Sequence, residues 1–407
     1  MNRKTIKALA LLWGAILIIL LTVWLTLSMT ARSDAPMHIV SQSEFDTIER
    51  YRRLEQVRSA LMDEYYVPLD EETLLTGAIR GMMAAPDDPY TFYYTPEEMQ
   101  KSNEASNGVY HGVGMLVQLT DDGGIEVVQV YPDTPAERAG ILAGDRIIAV
   151  DGEPASGENQ QTFNEAVQRI QGEDGTEVVI RVERNGESID LTAWRGEVSI
   201  SHVSYGMLEN DIGYVALTQF TGDDADGFIQ ALNAFKEAQA RGVVVDLRNN
   251  PGGLLDHVVK ICDQVLPEGL ITYVEDRHGN RQEEKSSGDY WNIPMVVLVN
   301  GNSASASELF TAAFQDYERG LVVGTTTYGK GIVQSLITFQ EDGAGMQLTT
   351  ASYFSPKGRS IHLTGVEPDI VVELNEDAVI DIDHPDPTQD NQLAEALKAL
   401  EREINLQ

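Results

Sequence analysis

Residues 295–334 read MVVLVNGNSASASELFTAAFQDYERGLVVGTTTYGKGIVQ, and the rest of the chain is organised around them. Residues 295–299 are an unbroken apolar run, Asn300-Gly301-Asn302 is a turn, and Leu309, Phe310, Ala313 and Phe314 fall on one side of a helical pattern. That order predicts strand, tight turn, helix. Three alternating serines, Ser303, Ser305 and Ser307, stand where the helix begins. A serine there lies beside free backbone N–H groups and the positive end of the helix dipole. An acyl-transfer enzyme can hold both its nucleophile and part of its oxyanion hole at such a place. Downstream, Lys330 stands between Gly329 and Gly331, shortly after a second apolar strand at 321–323. A lysine between glycines can approach another backbone closely, be shielded from water and serve as a base. Each piece also has a plainer reading. Ser305-Ala306-Ser307-Glu308 is a capping box in which Ser305 only bonds the Glu308 N–H, and Gly-Lys-Gly is commonly a turn.

The pieces gain meaning together. SASASE, then GKGIVQ, then the upstream glycine turn DLRNNPGG resemble the carboxyl-terminal processing peptidases, also called tail-specific proteases. The resemblance covers nearly the whole chain after the N-terminal segment. It implies Ser305 as nucleophile, Lys330 as base and Gln334 as the residue that orients the lysine. For the oxyanion hole it implies an amide of the glycine turn, Gly253 with Gly252 as the near alternative, and the amide of Ala306. The fold it implies is a multidomain α+β chain: an N-terminal transmembrane helix, a helical segment, a PDZ domain and an α/β, crotonase/ClpP-like serine–lysine protease core. Gln334 raises a geometric question, because in an extended strand it lies about 13 Å from Lys330. The chain must bend for the two to meet, and Gly331 is the obvious place.

Composition narrows the alternatives. A chain of 407 residues is too long for one ordinary core. The formal net charge of -35 argues against nucleic-acid binding, which needs a basic footprint. The single cysteine, Cys262, sits in a helical pattern and reads as a core residue. The seven histidines show no metal-ligand spacing, so neither a metal nor a cofactor is expected. His257 and His362 are the histidines nearest the motifs, and His362 is the alternative base.

In chain order, residues 1–31 form a basic flank (Arg3, Lys4, Lys7) and an uncharged run, LALLWGAILIILLTVWLTLSM. At about 1.5 Å per residue the run is long enough to span a bilayer. The best cleavage candidate, Ala31-Arg32-Ser33, is a poor one, so an uncleaved single-pass anchor is expected. The basic flank puts that end in the cytoplasm and the catalytic part outside. Residues 32–105 are helical in pattern, with Phe45, Ile48, Tyr51, Leu54, Val57 and Leu61 at three- and four-residue spacing. PDDPYTFYYTPEE, at 86–98, reads as a connection followed by a helix capped by Thr95 with Pro96 in its first turn. No chemistry is assigned to it.

Residues 106–196 change to short strands and glycine turns, including a hairpin signal at Asn185-Gly186. TPAERAGILAGDRIIAVDG resembles a PDZ domain, and the loop matching its carboxylate cradle is His111-Gly112-Val113-Gly114-Met115. Glycine is needed there because a side chain would block the close approach of a carboxylate to main chain. Family members often carry an arginine in an Ile-Arg-Gly-x-x-Gly-Thr segment that can couple the PDZ to the active site. This chain has Ile170-Gln171-Gly172, with Arg169 two residues before Gln171. Residues 197–375 alternate strands and helices, which argues for a layered sheet with ligands at strand ends. Residues 376–407 are an acidic linker and an amphipathic helix.

The resulting expectation is a membrane-anchored serine endopeptidase that takes protein or peptide substrates with free C-termini. The oligomeric state is left open, a homo-oligomer included. Its rival is a catalytically inactive PDZ adaptor that only binds tails. A third reading, an acyl-CoA-type α/β enzyme sharing the oxyanion turn, is disfavoured by the PDZ and the serine–lysine pair.

Overall fold

The structure, a computed structural model, describes residues 3–30, 41–120, 122–157 and 160–406. The chain divides into two compact units, one up to Ala78 and one from Ile79 onward. In the first unit, helix α1 (Arg3–Thr30) carries the uncharged run. Its stretch Leu11–Ser28 is long and apolar enough to cross a membrane, by length and composition. The candidate cleavage point at Ala31-Arg32-Ser33 lies outside the described residues. Helix α2 (Gln42–Glu64) starts at a capping box in which Ser41 and Glu44 exchange backbone bonds. It has no buried residue, so its apolar stripe is open, and with the first turns of α3 (Glu71–Ala84) it bounds a groove of about 330 Å³.

The second unit opens with an element the sequence did not suggest. Strand β1 (Phe92–Tyr94) lies inside the stretch read as a plain connection. Helix α4 (Pro96–Ser106) follows, capped by Thr95 and Glu98. Strand β2 (Val109–Gly112) then leads into an antiparallel sheet of β3 (Met115–Leu119), β4 (Ile125–Val130), β5 (Arg146–Val150), β6 (Glu153–Pro154), β7 (Glu177–Arg184) and β8 (Glu187–Trp194). Helix α5 (Pro135–Ala139) lies between β4 and β5, and α6 (Gln160–Ile170) between β6 and β7. Ile125, Val127, Ile147, Val178, Ile180 and Val182 fill the core of this region. The β7–β8 hairpin turns at Asn185 (φ 53°) and Gly186 (φ 80°), as a type I′ turn requires. The chain leaves through β9 (Gly196–Ser199), which pairs with β2, so entry and exit form one two-stranded ribbon.

The remaining residues build two further sheets. Strands β10 (Val203–Leu208), β11 (Ile212–Leu217) and β12 (Gly242–Asp246) flank helix α7 (Asp224–Glu237), and helix α8 (Leu255–Val265) follows them. After the pair β13 (Gly269–Asp276) and β14 (Arg281–Ser286) come β15 (Met295–Val299), helix α9 (Ala306–Asp316) and β16 (Leu321–Gly324). Strands β17 (Ile332–Thr338), β18 (Gly345–Phe354) and β19 (Ile370–Val371) precede the last helix, α10 (Asn391–Leu406). The central sheet runs β10-β11-β12-β15-β16-β19, all parallel after the antiparallel β10–β11 pair.

Its inner strands read as unbroken apolar runs because both faces are covered. Val215, Val243, Val245, Val297 and Val299 face a core shared with Phe228, Val258, Phe310 and Phe314 of α7–α9. Their alternates Tyr214, Ala216, Val244, Val296 and Leu298 face Leu393, Ala396, Ala399 and Leu400 of α10. Cys262 is fully buried in the first of these cores, and burial pushes its thiol far up. The second sheet runs β1-β18-β13-β14, with β17 also on β18.

Candidate active site

The turn between β15 and α9 separates its three serines by what holds them. Ser303 Oγ donates to Leu247 O at 2.7 Å, and Ser307 Oγ donates to Asn250 O at 3.0 Å; both side chains are buried. They fasten this turn to the loop after β12. Ser305 has φ 56° and ψ -112°, a conformation that side chains adopt rarely and that marks functional turns. Its place is the N-cap of α9, but the Glu308 N–H bonds the Ser305 carbonyl at 2.9 Å.

The capping residue does more than cap. Glu308 is fully buried and accepts four hydrogen bonds from segments far apart in sequence. Its Oε2 takes the N–H of Ser305 and of Lys330, both at 2.8 Å. Its Oε1 takes the Thr327 hydroxyl at 2.6 Å and the Gly329 N–H at 2.7 Å. One carboxylate, with about four lone-pair sites, thereby straps the serine turn to the lysine turn. A second tie is the hydroxyl of Tyr353 on β18, within hydrogen-bond reach of Ser305 O at 2.9 Å and of Lys330 O. Burial raises the Tyr353 ionisation far above its usual range, so it remains a hydroxyl.

Lys330 is half-buried, and burial lowers its ionisation below the ordinary lysine value, against the pull of Asp88 and Glu308. Its Nζ lies 4.3 Å from the centre of the Tyr90 ring. Among the described residues no hydrogen bond joins it to Ser305 Oγ. Gln334 does not reach the lysine either. Its amide donates to Thr349 Oγ1 at 3.2 Å, beside a register shift in the β17–β18 pairing between Val333 and Gln334. Gly331 serves a close approach, since a Cβ there would sit 2.4 Å from His362 N. His362 Nδ1 is buried without a hydrogen-bond partner among the described residues.

The glycine turn meets the serine directly. A Cβ on Gly252 (φ 102°) would lie 2.7 Å from Ser305 Cβ and 2.9 Å from Ala306 N. The Gly252 N–H is taken by Asn250 Oδ1 at 2.8 Å. The N–H groups of Gly253 and Ala306 make no hydrogen bond among the described residues. Behind the turn, Arg248 lies between Asp246 at 2.6 Å and Asp390 at 2.7 Å, all buried, which ties the start of α10 to this loop. Among the described residues no three His, Cys, Asp or Glu side chains gather as metal ligands would.

His111, Gly112, Val113, Gly114 and Met115 line a cavity of about 120 Å³ with Val117, Val167, Ile170 and Gln171. Gly114 (φ 83°) is pressed on Thr134, where a Cβ would clash at 2.4 Å. His111 is bonded to Asp174 at 2.8 Å, and that bond raises its ionisation. The helix end next to Gln171 is held by Arg195, which donates to Arg169 O at 2.7 Å and Ile170 O at 3.1 Å.

Family models match three parts of the chain: peptidase family S41 at 211–372, a PDZ domain at 126–184, and the N-terminal domain of the activating protease CtpB at 11–98. The chain belongs to the carboxy-terminal-processing proteases of peptidase family S41 and carries a PDZ domain. A carboxy-terminal-processing protease of Bartonella bacilliformis is 37% identical, over 82% of this chain and 78% of that protein. The carboxy-terminal processing protease CtpA of Bacillus subtilis is 33% identical, over 86% and 74%. Among solved structures, a photosystem II D1 C-terminal processing protease is 28% identical with a TM-score of 0.50, covering 82% of this chain and 94% of that one.

Sequence reasoning chose the middle serine by resemblance, and three features of the site went unread. In the sequence Glu308 reads only as a capping partner, and Tyr353 and Tyr90 carry no role. The aromatic density of PYTFYY was the one available signal.

Proposed function

We propose that the chain is a membrane-anchored, extracytoplasmic serine endopeptidase that holds protein C-termini in its PDZ groove and cleaves with Ser305 and Lys330. The observation that carries this is the pairing of a serine at positive φ on a helix start with a half-buried lysine, both strapped to one buried carboxylate. Lys330, once neutral, takes the Ser305 proton as the hydroxyl attacks the scissile carbonyl. The free N–H groups of Ala306 and Gly253 are the donors for the oxyanion, with the α9 dipole behind the first. Gln334, whose NH2 is held by Thr349, orients the lysine through its amide oxygen. The core is read as crotonase/ClpP-like, and α1 as an uncleaved anchor with its basic end in the cytoplasm. The domains follow as anchor to 31, helical region 32–105, PDZ 106–196, protease core 197–375 and C-terminal segment 376–407.

The rival is a silent tail-binding adaptor. Among the described residues no hydrogen bond joins Ser305 to Lys330, which favours it, but binding alone requires neither a serine at positive φ nor a half-buried lysine. The test uses the full chain in detergent with unstructured proteins bearing apolar C-termini, free or amidated. Fragments from wild type, none from Ser305→Ala, and weaker binding of amidated tails to Ser305→Ala are expected. Equal cleavage by Ser305→Ala would end the reading.

A further inference from the structure

The stretch before α4 places an aromatic ring on the lysine. Among the described residues, Lys330 Nζ has no hydrogen-bond partner, and its one close neighbour of this kind is the Tyr90 ring at 4.3 Å. The backbone that carries that ring is held from several sides. Asp88 accepts the Tyr90 N–H at 2.9 Å and the Thr91 hydroxyl at 2.7 Å. Gln347 on β18 donates to Tyr90 O at 3.1 Å, and Thr349 N–H donates to Thr91 Oγ1 at 3.1 Å. Directly after, Phe92 pairs with Gln347 in the β1–β18 ladder. At its far end the Tyr90 hydroxyl meets the Tyr328 hydroxyl at 3.4 Å, two residues before the lysine.

We propose that Tyr90 is a positioning residue for Lys330: its ring holds the ε-ammonium in a resting pose off Ser305, which the lysine leaves to take the serine proton. The proposal rests on the serine–lysine reading and adds the state from which the base starts. A ring face attracts the charged amine and gives nothing comparable to the neutral one. The ring therefore biases Lys330 toward the form that cannot act as a base. The charged groups acting on the lysine amine are Asp88 and Glu308; of the other titratable groups nearby, Tyr328 bonds the Tyr90 hydroxyl, Tyr353 the Lys330 carbonyl, and His362 packs on Gly331. Asp88 and Glu308 also favour the ammonium, but their oxygens are engaged: Glu308 with four donors, and Asp88 with Tyr90 and Thr91. The Tyr90 hydroxyl, raised to about 12 by its bond to Tyr328 and by burial, stays protonated and adds no anion.

The test reads the lysine without turnover. Competitive acetylation of the full-length chain across pH, followed by mass spectrometry, gives the ionisation midpoint of the Lys330 amine in wild type, Tyr90→Phe and Tyr90→Leu. Phe keeps the ring face, so its midpoint should match wild type. Leu keeps most of the apolar cover but removes the ring, so the midpoint should fall by about 0.5–1.5 pH units. Below the midpoint the neutral fraction then rises roughly 3- to 30-fold. A Leu midpoint that is unchanged or raised would overturn the proposal. So would a Phe variant shifted as far as Leu, which would assign the effect to the hydroxyl. Should Leu fail to fold, by its thermal midpoint, Tyr90→Met carries the same expectation. Failure of the serine–lysine reading appears separately, as cleavage by Ser305→Ala.

Discussion

Glu308→Gln tests whether the strap between serine and lysine holds the site together. The substitution keeps size and shape but replaces one acceptor oxygen with a donor NH2. Four donors now point at the carboxylate: the N–H groups of Ser305, Gly329 and Lys330 and the Thr327 hydroxyl. The cheaper orientation turns the NH2 toward Thr327, whose hydroxyl can rotate and accept. Gly329 N–H is then orphaned, at about 1–3 kcal/mol. The bonds to Ser305 and Lys330 survive but become neutral, at about 1 kcal/mol each. The sum, roughly 3–5 kcal/mol, is a large part of a typical domain stability of about 5–15 kcal/mol. A fall in thermal midpoint of roughly 10 °C is expected. If about half of that energy is also lost from the transition state, kcat/KM falls roughly 10- to 70-fold. Thermal melts and cleavage of an unstructured protein substrate measure the two effects. A folded variant with wild-type stability and rate would refute the strap. One that melts early but cleaves at the wild-type kcat/KM would confine Glu308 to folding.

Three further outcomes follow from the same geometry. Lys330→Arg keeps the charge but cannot lose it, so cleavage should fall about 10²- to 10⁴-fold, whereas His362→Ala stays active. Burial lowers the Lys330 ionisation, and the proposed mechanism uses the neutral amine, so it predicts a wild-type rate that climbs with pH through one step below the ordinary lysine value. A flat profile would count against the lysine. Gly252→Ala places a Cβ 2.7 Å from Ser305 Cβ at φ 102°, and cleavage should drop roughly 10²-fold or more. Asp390→Ala leaves Arg248 paired with Asp246 but removes one charged bond and the cap on the Gln392 and Leu393 N–H groups, which should cost about 2–5 kcal/mol in a urea melt.

How much was legible depends on how far apart the interacting residues lie. The central strands could be read because burial on both faces leaves an unbroken apolar signature within one short window, as in Met295–Val299. The helix start at Thr95 could be read because a capping box is complete within four residues. Glu308 was half read for that reason. Its bond to the Ser305 N–H is local, while those to Thr327, Gly329 and Lys330 close loops that no local pattern reports. Ser303, Ser305 and Ser307 are equivalent as letters. What distinguishes them is the loop 247–250, whose carbonyls take two of the three hydroxyls.

Strand β1 could not be read, and the reason bears on the site. It has three residues, too few to show alternation, and exists because β18 offers it Gly345, Met346 and Gln347. The PDZ region stands between the two in sequence but enters and leaves through the single β2–β9 ribbon. Removing it in thought brings the ends of that ribbon together and makes α4 and β10 neighbours along the chain. The segment bearing Asp88 and Tyr90 then joins the sheet that carries Tyr353, with Tyr90 beside Lys330. Tyr90 and Lys330 stand far apart in sequence because the PDZ region lies between two segments that the β1–β18 pairing brings together. The aromatic run is therefore legible as composition, while its place beside Lys330 depends on a pairing made across the PDZ region.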